Sequence, residues 1–301
     1  MKTITNNTAA ILYELLGTIQ NLNVPDLYPK RTTAPTYMAS LGIRSLIKNT
    51  PQGVLAYSSQ YATTTDAQPT PNYQWCSFKK EPIIDDLQTF FSNCQVISFV
   101  DWSDRHGASD LWDGLRRDVI KPLRRKDFEF VFYLGYLTNK LVYEVDEILD
   151  IISDFSPYGQ VSLMLDKSEA DKLWMVLNGY DSTKSLLALL PPGPEVRYRS
   201  IFNAMNINHL MINTAGRILS FSSQDQFELV DKIHNNTSIA KYVRNNFNAG
   251  YSLGLHLQLE LPQCAALGLA VSGSYRDNGI SPDRSALLLY IKKWIAESEA
   301  L

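Results

Sequence analysis

The sequence is poor in the residues that announce chemistry. Its three cysteines, Cys76, Cys94 and Cys264, stand far apart, too few and too scattered for a disulfide framework or a metal knuckle. That favours a reducing, cytoplasmic compartment. The four histidines, His106, His209, His234 and His256, are scattered as well, so spacing alone assembles neither a metal site nor a Cys/His dyad. No stretch approaches the ~18 uncharged apolar residues that a bilayer-spanning helix needs. The N-terminus MKTITNNTAAILYELLG, interrupted by Glu14, lacks the apolar core and cleavage site of a secretory signal. Neither sign of charge dominates: 28 Lys+Arg against 31 Asp+Glu leaves a net −3, too weak a field to draw the whole chain to nucleic acid or anionic lipid. Phosphate-binding glycine loops, the paired-glycine dinucleotide fingerprint, the G-x-S-x-G elbow and the H-E-x-x-H helix are all missing. No cofactor and no metal are therefore expected.

What is present is an ordinary globular composition, 45% hydrophobic and 20% charged over 301 residues, enough to bury a substantial core. Ile11, Leu12, Leu15, Leu16 and Ile19 fall at the three-and-four spacing of one buried helical stripe. The region 8–48 reads as helical, broken by turn signals at Pro25, Pro29 and Pro35. A Thr-, Pro- and Gln-rich connection follows over 58–73. From 95 onward, strands alternate with helices. QVISFV (95–100) and FEFVFYL (128–134) are continuous β-branched and aromatic runs of the kind found in strands covered on both faces. A helix capped by Ser109 and ended by Pro122 lies between them. Another spans 145–155, a strand 160–165, and a further helix opens on a Ser168/Asp171 capping box.

After PPGPE the pattern shifts. A helix over 196–205 leads to a hairpin turning at 213–216, with Gly216 at the positive-φ position. Helices are predicted over 224–233 and 238–247, and strands for LGLHLQLEL and ALGLAVSGS. A last helix opens on Ser281 and Pro282 and buries Leu287, Leu288, Ile291, Trp294 and Ile295. The expected fold is α+β or α/β, a mixed β-sheet with helices packed on it in layers. Two closely packed subdomains, 1–190 and 191–301, can be drawn at the proline-rich stretch, or one continuous domain.

The candidate site is SFVDWSDRHGASDLW. Asp101 and Asp104 follow a predicted buried strand at its carboxyl end, where open sheets place ligand crevices. Arg105 supplies a fork of donors, His106 can move a proton near neutral pH, and the amides before Ser109 open a helix toward an anion. Asp and Ser before a helix also serve as caps without any ligand. A second feature, LRRDVIKPLRRKDFEF, crowds Arg116, Arg117, Lys121, Arg124, Arg125 and Lys126 into eleven residues. It suits a protein-partner surface or a self-paired face, with the acidic residues Glu144, Asp146, Glu147, Asp150 and Asp154 as counterface. The missing catalytic motifs and the segregated charges lead to the expectation of a non-enzymatic cytoplasmic interaction or regulatory protein. A protein partner or self-association is then favoured over a small molecule, with nucleic acid a minor alternative at the basic run and no membrane expected. The alternative is an enzyme or binding protein that takes a phosphorylated or anionic small molecule through the 101–109 loop.

Overall fold

The computed structural model describes residues 8–22, 30–33, 38, 40–50, 53–58, 74–79, 82–137, 140–179, 193–214, 216–232 and 243–299. The connection 59–73, the predicted turn prolines 25, 29 and 35 and the helix start at 238–242 lie outside them. The strands are β1 (Lys30–Thr33), β2 (Ile43–Thr50), β3 (Gly53–Ser58), β4 (Cys94–Phe99), β5 (Phe128–Tyr133), β6 (Gly159–Asp166), β7 (His209–Thr214), β8 (Arg217–Ser222) and β9 (Gln226–Val230). They form one sheet in the order β1-β3-β2-β4-β5-β6-β7-β8-β9. The centre, β4 to β7, is parallel, and β2 and β8 flank it antiparallel. The β6–β7 pairing carries the sheet across the proline-rich stretch between 190 and 193.

Helices cover both faces. The first face holds α2 (Trp75–Phe78), α3 (Ile83–Ser92), α4 (Ala108–Leu115), α5 (Val142–Ser153), α6 (Lys167–Leu177) and α7 (Pro194–Ala204). Their buried residues Phe91, Trp112, Ile148, Leu173 and Tyr198 pack against Ile97, Phe99, Phe130, Phe132 and Leu163 of the sheet. The other face holds α1 (Thr8–Asn21), α8 (Val243–His256), α9 (Leu261–Asn278) and α10 (Arg284–Glu299). Here Leu15, Phe247, Tyr251, Leu267 and Trp294 meet Val96, Val131, Met164 and Met211. This sandwich explains the continuous apolar runs. Alternate residues of β4 and β5 enter opposite cores, so both sides of each strand are largely apolar, with Ser98, hydrogen-bonded to Asn248 and Ser252, and Glu129 as polar exceptions. In the first core Phe99 stacks on Phe132 at 4.8 Å and Phe155 meets Phe132 edge-on at 5.1 Å.

Several predicted elements differ. Residues 43–50 form β2 rather than continuing a helix, and 226–230 form β9 where a helix was expected. LGLHLQLEL forms the end of α8, the turn 257–260 and the first residue of α9, and ALGLAVSGS lies within α9, neither in a strand. The reason is burial on nearly every side: a helix with little polar face loses the 3.6-residue period that identifies it. These two helices also approach closely. An added Cβ at Gly250 would lie 2.7 Å from the Leu267 carbonyl oxygen, and one at Gly254 2.8 Å from Cys264 Cα.

The caps shift as well. Gly107, in the left-handed region at φ 76°, precedes α4, and Ser109 instead accepts a hydrogen bond from Trp102 Nε1 at 3.0 Å. The capping box of α6 is Asp166 with Glu169, not Ser168 with Asp171. Asp283 accepts the Ala286 amide at 2.7 Å at the start of α10, while Ser281 donates to Asn246 Oδ1.

Candidate functional site

Parallel strands fed by helices leave their carboxyl ends facing a row of loops, and ligand crevices form there. In this chain a cleft of about 1130 Å³ opens at the carboxyl ends of β5, β6 and β7. Tyr133 and the exposed Tyr136 come from the end of β5 and the loop after it. Asp166 ends β6, and Lys167 and Ser168 begin α6 beside it. Asn213 and Thr214 end β7, and Lys232 follows β9. Val243, Arg244 and Phe247 of α8, with Ser272 and Arg276 of α9, close the wall opposite. The floor is apolar, with Met164, Leu165, Met211 and Ile218.

An ion cluster organises this wall. Arg244 Nη2 donates to Asp166 and, at 2.9 Å, to Glu169. Glu169, with a side chain only 1% exposed, also accepts the Asp166 amide at 2.8 Å. It is thus both the cap of α6 and the base on which Arg244 rests. Burial pushes its carboxyl up to about 7, against the pull of the adjacent guanidinium. The Arg244 Cζ sits 5.8 Å from the centre of the Tyr133 ring. The Tyr133 hydroxyl is buried without a hydrogen-bond partner among the described residues, and burial raises its pKa. The other cations are held from behind. Lys232 pairs with Asp277 and Glu297, and Arg276 with Asp231.

The loop singled out from sequence lies one strand away on the same edge of the sheet, and none of its residues lines the cleft. Asp101 adopts φ 59°, Asp104 and His106 are exposed, and Arg105 and Ser109 are half-buried. The two regions touch. Ser103 donates its amide to the Leu134 carbonyl at 2.8 Å, and a Cβ at Gly135 would lie 2.4 Å from Ser103 Oγ. Of the basic run, Arg116 pairs with Asp113 and Asp154, and Arg117 with Asp113. Arg125 binds Asp127 and the carbonyls of Phe91, Ser92 and Cys94. Lys121, Arg124 and Lys126 are exposed.

Sequence reasoning missed Tyr133, Asp166, Glu169 and Arg244. The signal for one of them was available: Asp166 and Glu169 stand at the N-cap and third helical positions after an apolar strand, a strand-to-helix junction like the one that drew attention to Asp101. Arg244, 78 residues away in sequence from Asp166, carries no local signal at all.

Among the described residues no group of His, Cys, Asp or Glu has the arrangement of a metal site, and no helix is long and apolar enough to cross a membrane. No family model matches the chain, and no curated protein matches it in sequence. Solved structures do match in fold. Ribokinase from Thermotoga maritima is 10% identical over 83% of this chain and 69% of that one, with a TM-score of 0.50. Adenosine kinase from Schistosoma mansoni in complex with 2-fluoroadenosine is 10% identical over 80% of this chain and 64% of that one, with a TM-score of 0.51. A protein assigned as a sugar kinase from Clostridium perfringens is 12% identical over 72% of this chain, with a TM-score of 0.50, and the chain spans only 60% of its length. These likenesses correct the functional expectation. The missing motifs point to a non-enzymatic interaction protein, with a protein partner or self-association favoured over a small molecule, yet the chain shares its architecture with structures named as ribokinase and adenosine kinase and carries a cleft at the carboxyl ends of its parallel strands, where open α/β sheets place ligand crevices. The chain has an α/β fold of the ribokinase kind.

Proposed function

We propose that the chain is an enzyme acting on a small molecule of the sugar or nucleoside class that carries a phosphate or other anionic group, bound in the cleft at the carboxyl ends of β5, β6 and β7. The observation that carries this reading is the cleft itself, which combines an apolar floor with a few convergent charged groups, the composition of small-molecule sites. Helix α8, 14 residues long, begins at its wall with Val243 and Arg244, and a helix start favours negative charge. Tyr136, 74% exposed at the rim, offers a flat face to a ring. The 101–109 loop, held against the β5 end through Ser103, forms the adjoining rim in this reading. Three free cysteines, two of them buried, fit a cytoplasmic location.

Phosphoryl transfer is the reaction to test first, because the similar structures are named as kinases. In that reaction a substrate hydroxyl forms a bond to the γ-phosphorus of a nucleoside triphosphate, the bond to the bridging oxygen breaks, and the hydroxyl proton needs an acceptor. Asp166, 42% exposed at the end of β6, is the carboxylate placed to take it.

The experiment is a thermal-shift screen of the chain against nucleosides, nucleotides, sugars, sugar phosphates and inorganic phosphate. Any ligand that shifts the midpoint is then assayed for phosphoryl transfer with ATP and magnesium, using the parent and Asp166→Asn. Saturable binding, with turnover in the parent and none in Asp166→Asn, supports the reading. No shift with any compound of the panel refutes it.

A further inference from the structure

Arg244 and Tyr133 carry hydrogen-bond donors that find no acceptor among the described residues. We infer that the Arg244 guanidinium and the Tyr133 hydroxyl form a two-point receptor for one oxyanion group of the ligand, a phosphate or a carboxylate. The inference rests on the cleft reading above and names the groups that hold the ligand's charge.

A guanidinium carries five N–H donors in a planar fork. Arg244 engages both of its carboxylates through Nη2. Nε and Nη1 have no acceptor among the described residues, so single donors on either side of the engaged Nη2 stay free on a side chain 29% exposed in the cleft wall. The fork cannot retreat from that position. Glu169 holds it from beneath and is itself fixed by the Asp166 amide. Asp166, the N-cap of α6 and 42% exposed, borders the same donors and is the carboxylate proposed above as proton acceptor.

The second point is independent of the first. Tyr133 is 5% exposed, lines the same cleft, and its hydroxyl has no partner among the described residues. A buried hydroxyl without a partner is destabilising in the free protein, and a ligand oxygen would remove that cost. The hydroxyl stays protonated across the working pH range because burial disfavours the phenolate. The guanidinium lying 5.8 Å from its ring centre brings the two donors to one corner of the cleft. Lys232 and Arg276 offer no equivalent, since acidic partners on α9, α10 and the end of β9 already hold their charges, and Lys167, 62% exposed and 4.0 Å from Asp171, presents a flexible point charge rather than a fixed donor.

The test titrates inorganic phosphate and acetate into the full chain and into Tyr133→Phe, Arg244→Lys and Arg244→Gln, with the denaturant midpoint of each variant measured alongside. Tyr133→Phe keeps the buried ring, so it should fold with a midpoint equal to or above the parent's. It should bind the preferred anion about tenfold more weakly, about 1.4 kcal/mol. Arg244→Lys keeps the charge without the fork and should lose at least as much, and Arg244→Gln should lose saturable binding. If the Arg244 variants fail to fold, Tyr133→Phe decides alone. Parent-like affinity in Tyr133→Phe overturns the receptor, and if the parent still binds an anion, the cleft reading stands without it. A parent that binds neither probe, and no compound of the wider panel, overturns both.

Discussion

Replacing Gly250 by alanine should destabilise the protein, although alanine is the better helix former. In an unconstrained helix the change stabilises by about 0.5–1 kcal/mol, because glycine loses more backbone freedom on folding. At Gly250 the new methyl would stand 2.7 Å from the Leu267 carbonyl oxygen, 2.9 Å from Gly268 Cα and 3.0 Å from Val271 Cγ2. Two of those three atoms are backbone of α9, so relief requires the helices to separate rather than a side chain to turn. Forcing a methylene into a packed interior costs about 1–3 kcal/mol. The expected net effect of Gly250→Ala is therefore a loss of about 1–2 kcal/mol after the propensity gain is offset. Gly17, in α1, has nothing within 4 Å of its added Cβ and serves as the control. Gly17→Ala should gain about 0.5–1 kcal/mol. Urea unfolding of both variants, read as the shift in midpoint at constant slope, gives the comparison. If Gly250→Ala is stabilised as much as Gly17→Ala, the close α8–α9 packing is wrong, and with it the placement of Arg244 and Arg276 side by side in one wall of the cleft.

Trp294→Ala should cost about 3–5 kcal/mol in the same assay, because the ring is 1% exposed and meets Tyr290 edge-on in the second core. A loss under about 1 kcal/mol would place the ring outside that core. Asp283→Ala should cost about 1 kcal/mol as the loss of a helix cap, with Ser281→Ala costing less. Glu129 has a folded-state pKa near 7, raised by burial above its usual 4.5. Between those values the folded state holds more protons than the unfolded one, so this group makes stability fall as pH rises. The stability of Glu129→Gln relative to the parent should accordingly climb from pH 5 to pH 7 and level off above, as followed by denaturant midpoints at each pH. A difference that does not change with pH would show an ordinary carboxyl.

The layered sheet was legible wherever a strand or helix kept its period or its run. β4, β5 and β6 stood out because residues entering two cores are apolar on both sides, and α5 and α7 because each has one wet face. The failures share a cause. α8 and α9 are buried almost all round, so Leu253, Leu255 and the ALGLAVSGS run read as strand. The stretch 226–230 lies inside the span 224–233 predicted as helix, yet its burial alternates, with Phe227 and Leu229 buried, as a strand at the end of the sheet requires. The loop at 101–109 was rightly placed at the carboxyl end of a central strand. The cleft lies along that same edge, but its key cluster joins Asp166 and Glu169 to Arg244, and a contact across 75 residues or more leaves no mark in a single sequence. Local catalytic motifs are no guide to a cleft of this kind, because its lining residues come from strand ends and helices far apart in the chain.

The central claim is that an anionic small molecule binds at the carboxyl ends of β5, β6 and β7. Amide hydrogen exchange of the full chain, with and without the compound that shifts its thermal midpoint most, tests it most directly. The account expects protection concentrated at 133–137, 166–169, 213–214 and 243–247. Protection confined to the basic run at 116–126, or none at any of these segments despite saturating ligand, would contradict it.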